Sequence, residues 1–155
     1  MVYQLQNLNK DEQQIALLAP AYVTVLISGA DSNIEDSEIG RAIKLVHIKT
    51  FSENHELQEL YKFIEASFES DVKTLIGNLP KDTEERNQII SQELERLNGI
   101  FDKIDSVFAL HYYNSLKDFT HHIASAFGGV LGFQSVSPLE REFVTLPMLK
   151  EPELK

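Results

Sequence analysis

The sequence contains no cysteine. This absence excludes disulfide scaffolds, thiolate zinc sites, iron–sulfur clusters and cysteine nucleophiles. Basic residues are also scarce, since 14 lysines and arginines against 24 aspartates and glutamates give the 155-residue chain a formal net charge of −10. Nucleic-acid binders and proteins that dock on anionic membranes depend on basic side chains. The charge balance therefore predicts no nucleic-acid partner and favours a cation or a basic protein partner.

Long hydrophobic runs are missing as well. The longest apolar stretch, Ile15 to Ile27, is too short to span a bilayer and contains Pro20 and Thr24. The first residues lack a basic segment followed by an apolar one, the pattern typical of a secretory signal. We therefore expect a cytoplasmic protein without direct membrane insertion.

Catalytic motifs are absent from the sequence too. It has no GxSxG nucleophile elbow, no phosphate-binding P-loop and no dinucleotide fingerprint. The five histidines include no HExxH motif and no pair four residues apart, the spacing that places two metal ligands on one helix face. We therefore predict no catalytic residue, no organic cofactor and no enzymatic activity.

The pattern of apolar residues is helical along nearly the whole chain. Asn9 and Glu12 have capping-box spacing and predict the start of a first helix, whose apolar face continues through AYVTVLIS. Pro20 should kink this helix, because the proline ring clashes with the carbonyl four residues back. Further helices are expected over about 36–50, from Ser52 to the NLPKD segment, from Asp82 to about Ile104, over about 106–127 and from Ser137.

These patterns predict an all-α protein. A chain of this length can bury one sizeable core, and no composition shift suggests a linker. We expect a compact single-domain bundle of six or seven helices over residues 1–155, with residues 1–8 and 150–155 as frayed tails. Two loop-to-helix junctions, Gly29 to Val46 and Leu131 to Leu146, resemble each other and indicate a weakly duplicated helix–loop–helix element.

The first junction also resembles a known family. The stretch Ala30 to Glu38, ADSNIEDSE, is similar to the repeated A-D-G-x-I/V-S-x-x-E element of the TerB-like family, which includes tellurite-resistance TerB proteins and the N-terminal region of DnaJ-like cochaperones. The resemblance implies an all-α bundle with two such elements, acting as a stress-linked module that binds a cation or a protein partner. The chain departs from the pattern at Ser32, where the family has glycine, and at Phe133, which replaces the second aspartate.

The acidic loop of the first junction is the candidate metal site. Carboxylate and amide oxygens suit Ca²⁺ or Mg²⁺, and we predict Asp31 as a direct ligand, Asn33 or Glu35 as an auxiliary ligand and Glu38 as ligand or orienting group. Glu140 of the second junction is a weaker candidate. The alternative is that these acids only cap a helix and complement its dipole, in which case the protein is a purely structural interaction domain.

A second candidate surface is aromatic. Tyr112 and Tyr113 are adjacent on one predicted helix, so one of them should point away from the face that the other occupies. Exposed aromatic side chains are typical anchors of protein interfaces. The sequence therefore offers Tyr112 and Tyr113 as a weak candidate interaction surface, unless other helices cover both rings.

Overall fold

Helices form all the regular structure of the computed structural model, which describes residues 2–28, 36–127 and 143–155. A 3-10 turn at Tyr3–Leu5 precedes six α-helices in the described ranges: α1 Lys10–Ser28, α2 Asp36–Ser52, α3 His55–Asn78, α4 Thr83–Glu95, α5 Leu97–Phe101 and α6 Ser106–Phe127. These ranges contain no strand, so the all-α prediction is confirmed for them.

The described residues form five full-length helices, fewer than the six or seven predicted. Five helices are long, with 13 to 24 residues each. The short α5 has five residues and follows α4 after the single residue Arg96. Beside the five full helices, the described ranges thus hold only this short sixth one, and the start of the helix predicted from Ser137 lies outside the described residues.

Capping residues set the start of several helices. Asn9 and Glu12 form the predicted capping box, with the Glu12 amide donating to Asn9 Oδ1 at 2.8 Å and the Asn9 amide to Glu12 Oε1 at 3.1 Å. Asp82 caps α4 by accepting from the Glu85 amide at 3.0 Å, as its spacing predicts. Asn54 caps α3 in the same way, accepting from the Leu57 amide at 3.0 Å.

Helix α1 lies at the centre of the structure and contacts α3, α4, α5 and α6. Every residue from Ala19 to Ser28 is buried. A helix that is apolar on all sides needs neighbours on all sides, which explains why AYVTVLIS lacks a polar face. Helices α2 and α3 pack extensively against each other, with α3 between α2 and the core helix α1.

Pro20 removes one backbone donor from the middle of α1, yet the helix continues to Ser28. The carbonyl left without a helical partner is that of Ala16, four residues back. The hydroxyl of Tyr112, on α6, donates to this carbonyl at 2.6 Å. A side chain 96 residues away therefore satisfies the acceptor that the proline leaves open.

The first residues of the described chain are packed, in contrast to the frayed tail predicted over residues 1–8. Val2, Leu5 and Leu8 are buried. Residues 150–155 are mostly exposed, but the Lys150 amide donates to Asn98 Oδ1 at 2.9 Å and the Lys155 amide to a serine hydroxyl at the start of α6. Apolar side chains in the first eight residues reach the core, which composition alone did not show.

Among the residues described, none of the helices combines the length and apolar character needed to cross a membrane.

Candidate functional site

Most of the predicted metal site lies outside the described residues. Asp31, Asn33, Glu35 and Glu140 fall in the ranges that the structure does not describe. Glu38 is half-buried in the first turn of α2. Within residues 2–28, 36–127 and 143–155, no group of three histidine or carboxylate side chains is placed to hold a metal ion.

The two adjacent tyrosines are both buried, in agreement with the alternative in which other helices cover both rings. Tyr112 is 1% exposed and Tyr113 is 7% exposed. The ring of Tyr112 packs edge-on against Tyr61 of α3 and Phe101 of α5, with centroids 6.3 and 6.4 Å apart. Neighbouring helices therefore cover these rings, and neither tyrosine offers an exposed anchor.

A buried lysine joins α2 to α6. Lys49 is only 5% exposed, and its ammonium lies 3.1 Å from a carboxylate oxygen of Glu53 and 3.0 Å from one of Asp118. The ammonium also lies 5.7 Å from the centroid of the Tyr61 ring. Two carboxylates and an aromatic face satisfy a cation that is otherwise costly to bury.

The same cluster continues into the core through Tyr61, whose hydroxyl lies 2.7 Å from the Ser115 hydroxyl. Burial raises the pKa of Tyr61, and the carboxylates of Glu53 and Asp118 add to this, while the bond to Ser115 opposes it. Tyr61 is therefore a neutral hydrogen-bonding group at ordinary pH.

A shallow depression of about 260 Å³ covers this cluster, between the α2–α3 turn and α6. At its rim Asn54 Nδ2 lies 2.9 Å from His111 Nδ1. Because Asn54 Oδ1 already accepts from the Leu57 amide, Asn54 Nδ2 is the donor and His111 Nδ1 the acceptor. The polar groups here satisfy one another, so this cluster is best explained as a connection between helices.

One feature of the sequence indicates this cluster, although our prediction did not use it. Lys49 and Glu53 have the i,i+4 spacing of a helical ion pair. Phe51, the last apolar residue of α2, is 61% exposed, whereas Lys49 and Thr50 are buried. Asp118 lies 69 residues from Lys49 in the chain, and local spacing does not reveal such a partner.

A larger groove lies along α4. It has a volume of about 770 Å³ and is lined by Asp82, Thr83, Glu84, Asn87, Gln88, Ser91 and Phe143, a set that we call the α4 groove. Residues 84, 87, 88 and 91 are related by steps of three, four and seven along one helix, so they form a continuous strip. The groove differs from the Lys49 cluster because its polar groups are not satisfied by one another.

Asn87 shows this most clearly. Its side chain is 6% exposed, and its Oδ1 atom is buried without a hydrogen-bond partner among the described residues. The adjacent Arg86 is also buried, and burial lowers the pKa of its guanidinium while the nearby Asp82 carboxylate opposes this shift. The inward stripe of α4 thus begins with polar side chains and becomes apolar only at Ile90 and Leu94.

The outer side of α4 is acidic. Glu84, Glu85 and Glu95 are exposed, and the capping residue Asp82 is exposed beside them. The only basic residue between Thr83 and Glu95 is the buried Arg86. Such a surface binds positively charged groups in preference to anions.

Comparison of the chain with protein-family models, with curated proteins and with solved structures finds no match.

Proposed function

We propose that this protein is a non-enzymatic, TerB-like helical module that binds a basic segment of a protein partner on the acidic face of α4. One observation carries the proposal: the exposed side of α4 presents several carboxylates, and its only basic residue is buried. The net charge of −10 acts in the same direction over longer distances.

The charge distribution makes this face distinct from other parts of the surface. On α3, Lys73 pairs with Glu69 at 2.9 Å, and at the start of α1, Asp11 and Glu12 pair with Arg96 and Lys103. Glu84, Glu85 and Glu95 have no comparable ion pair among the described residues. Their carboxylates are available to a basic partner, which gains association rate and specificity from charge complementarity.

The experiment is a titration of the purified protein into a fluorescein-labelled arginine–glycine peptide, followed by fluorescence anisotropy. We expect binding that weakens as salt rises, because the charges are exposed and screened. A variant with Glu84→Gln, Glu85→Gln and Glu95→Gln should lose about tenfold in affinity if each lost contact contributes a fraction of a kcal/mol, as exposed ion pairs do.

A matched control separates the α4 face from overall charge. The control variant carries Glu56→Gln, Glu151→Gln and Glu153→Gln, three exposed carboxylates outside α4, and changes the net charge by the same amount. The proposal requires the α4 variant to weaken binding much more than the control. Equal weakening would show a general charge effect, and no binding by the wild-type protein would contradict the proposal.

The cation site predicted at Asp31, Asn33, Glu35 and Glu38 is a second proposal, and the position of Glu38 in the first turn of α2 supports it. The same position suits the alternative of a helix cap. Thermal unfolding of chelator-treated protein with and without Ca²⁺ or Mg²⁺ distinguishes the two. A cation site predicts stabilisation that Asp31→Ala abolishes, whereas a cap predicts no dependence on either ion.

A further inference from the structure

Asn98 and Gly99 of α5 form the only asparagine–glycine pair in the sequence. Asparagine loses its side-chain ammonia most readily when glycine follows, because glycine has no side chain to hinder attack of its backbone nitrogen on the asparagine amide. Asn98 is half-buried and Gly99 is exposed, so water has access to the pair. The residues and the solvent that this reaction needs are therefore present together.

The fold does not explain why residue 99 is glycine. Gly99 lies within α5, and a Cβ atom placed on it would meet no neighbouring atom within 4 Å. Glycine inside a helix is less favourable than alanine, so the choice costs stability. Gly40 and Gly77 have as much space around them, but neither follows an asparagine. The reactivity of the pair thus accounts for Gly99 where packing does not.

Two hydrogen bonds hold the amide of Asn98 on the last segment of the chain, residues 143–155. Its Nδ2 donates to the Met148 carbonyl at 3.0 Å, and its Oδ1 accepts from the Lys150 amide at 2.9 Å. A helical backbone, with ψ of about −42°, does not bring the nitrogen of Gly99 over the Cγ of Asn98. The reaction therefore requires that α5 opens and that the segment gives up the amide.

Helix α5 depends on its neighbours for this protection. It has only five residues, and a helix of that length is not stable by itself. Leu146 and Leu149 of the segment 143–155 are buried, so the segment is anchored beyond its two bonds to Asn98. Local opening of α5 and release of the segment are therefore coupled, and they can occur without unfolding of the whole chain.

We propose that Asn98–Gly99 is a deamidation site that the segment 143–155 protects, and that its product no longer holds this segment. In the reaction the Gly99 nitrogen forms a bond to Asn98 Cγ and gives its proton to solvent, the Cγ–Nδ2 bond breaks, and Nδ2 leaves as ammonia. Water then opens the cyclic imide to aspartate or isoaspartate. The net change is amide plus water to acid plus ammonia.

The product weakens the attachment of the segment. An ionised carboxylate accepts hydrogen bonds but donates none, so the bond to the Met148 carbonyl is lost and two oxygens face each other. Isoaspartate also places an additional carbon in the main chain and interrupts α5. Because ammonia is released, the change is one-way. Each conversion therefore leaves a permanent record that α5 has opened.

The first experiment incubates the full chain at neutral pH in buffer and in urea, and follows Asn98 by peptide mass spectrometry. The peptide should gain the mass difference between an amide and an acid. We expect the reaction in urea to be at least about tenfold faster than in the folded protein, because folding suppresses local opening. Equal rates would overturn the protection, and no reaction in urea would overturn the site.

A pair of variants tests whether the segment is what protects the site. Leu149→Ala loosens the segment without touching Asn98 or Gly99, whereas Ile64→Ala removes a similar apolar volume from α3. Deamidation of Asn98 should be several-fold faster in Leu149→Ala than in Ile64→Ala. Equal rates in the two variants would overturn the role of the segment. If either variant fails to fold, Leu149→Val and Ile64→Val provide the same comparison.

Two further variants test the product and the glycine. Asn98→Asp reproduces the aspartate product, and we expect faster hydrogen exchange across residues 143–155 than in the wild type, with exchange in α3 unchanged. Gly99→Ala should react far more slowly in urea and unfold at an equal or higher temperature. Unchanged exchange in Asn98→Asp, or undiminished reaction in Gly99→Ala, would overturn the inference.

Discussion

The bond between Tyr112 and Ala16 leads to a quantitative prediction. Tyr112→Phe keeps the ring and its packing against Tyr61 but removes the hydroxyl that donates to the Ala16 carbonyl at 2.6 Å. Because Pro20 has no N–H, this carbonyl then lies in the core without a donor. An unsatisfied buried group costs about 1–3 kcal/mol, so we expect a loss of about 2 kcal/mol in the free energy of unfolding.

Urea unfolding followed by circular dichroism measures this loss directly. The corresponding fall in melting temperature is about 4–8 °C for a domain of this size. The decisive comparison repeats Tyr112→Phe in a Pro20→Ala background, where the new N–H of residue 20 can donate to Ala16 as in an ordinary helix. In that background the loss of the hydroxyl should cost about 1 kcal/mol less than in the wild type.

Two results of these measurements would contradict the link between Pro20 and Tyr112. If Tyr112→Phe costs the same in both backgrounds, the hydroxyl does not compensate for Pro20, and its contribution lies elsewhere. If Tyr112→Phe is neutral in the wild-type background, the Ala16 carbonyl is satisfied in another way. Either result would refute the proposed link between the proline in α1 and the tyrosine in α6.

Two further predictions concern the buried polar groups. Lys49→Met should lower the free energy of unfolding by about 2–3 kcal/mol, because Glu53 and Asp118 would lose the ammonium that they share. Asp118 is half-exposed, so this loss of stability is smaller than for a fully buried ion pair. Adding Glu53→Gln and Asp118→Asn to Lys49→Met should restore most of the lost stability. If Lys49→Met alone leaves the stability in urea unchanged, this account is contradicted. Burial raises the pKa of both Tyr61 and Tyr112, so the folded protein holds these protons more tightly than the unfolded chain. Their contribution to stability is complete below about pH 10 and falls as the pH rises above it. Melting temperatures measured from about pH 8 to pH 11 should therefore drop at the alkaline end. The drop should be smaller for Tyr61→Phe than for the wild type, and a melting temperature that does not change with pH would contradict the prediction.

Local patterns predicted the helices well. The capping box at Asn9, the cap at Asp82 and the limits of α6 were all readable from sequence, because each depends on residues within one or two turns. The helix predicted from Asp82 to about Ile104 is instead divided at Arg96 into α4 and the short α5.

The features that define the candidate site were not readable in the same way. The contact of Tyr112 with α1 spans 96 residues, and the pairing of Lys49 with Asp118 spans 69. The unpaired oxygen of Asn87 is recognised only when its surroundings are known, because an asparagine in a polar helix such as α4 gives no sign of burial. The metal-site residues of the first junction remain predictions from sequence.

Asn98 lies in the short helix α5 and joins it to the segment 143–155. Its side chain donates to the Met148 carbonyl at 3.0 Å and accepts from the Lys150 amide at 2.9 Å, and Leu146 and Leu149 of the same segment are buried. Leu146 holds this position in a left-handed conformation with φ of 50°, which a branched side chain adopts rarely. The segment 143–155 is therefore held on α5 through one side chain, and a change at Asn98 alone removes both of these hydrogen bonds at once.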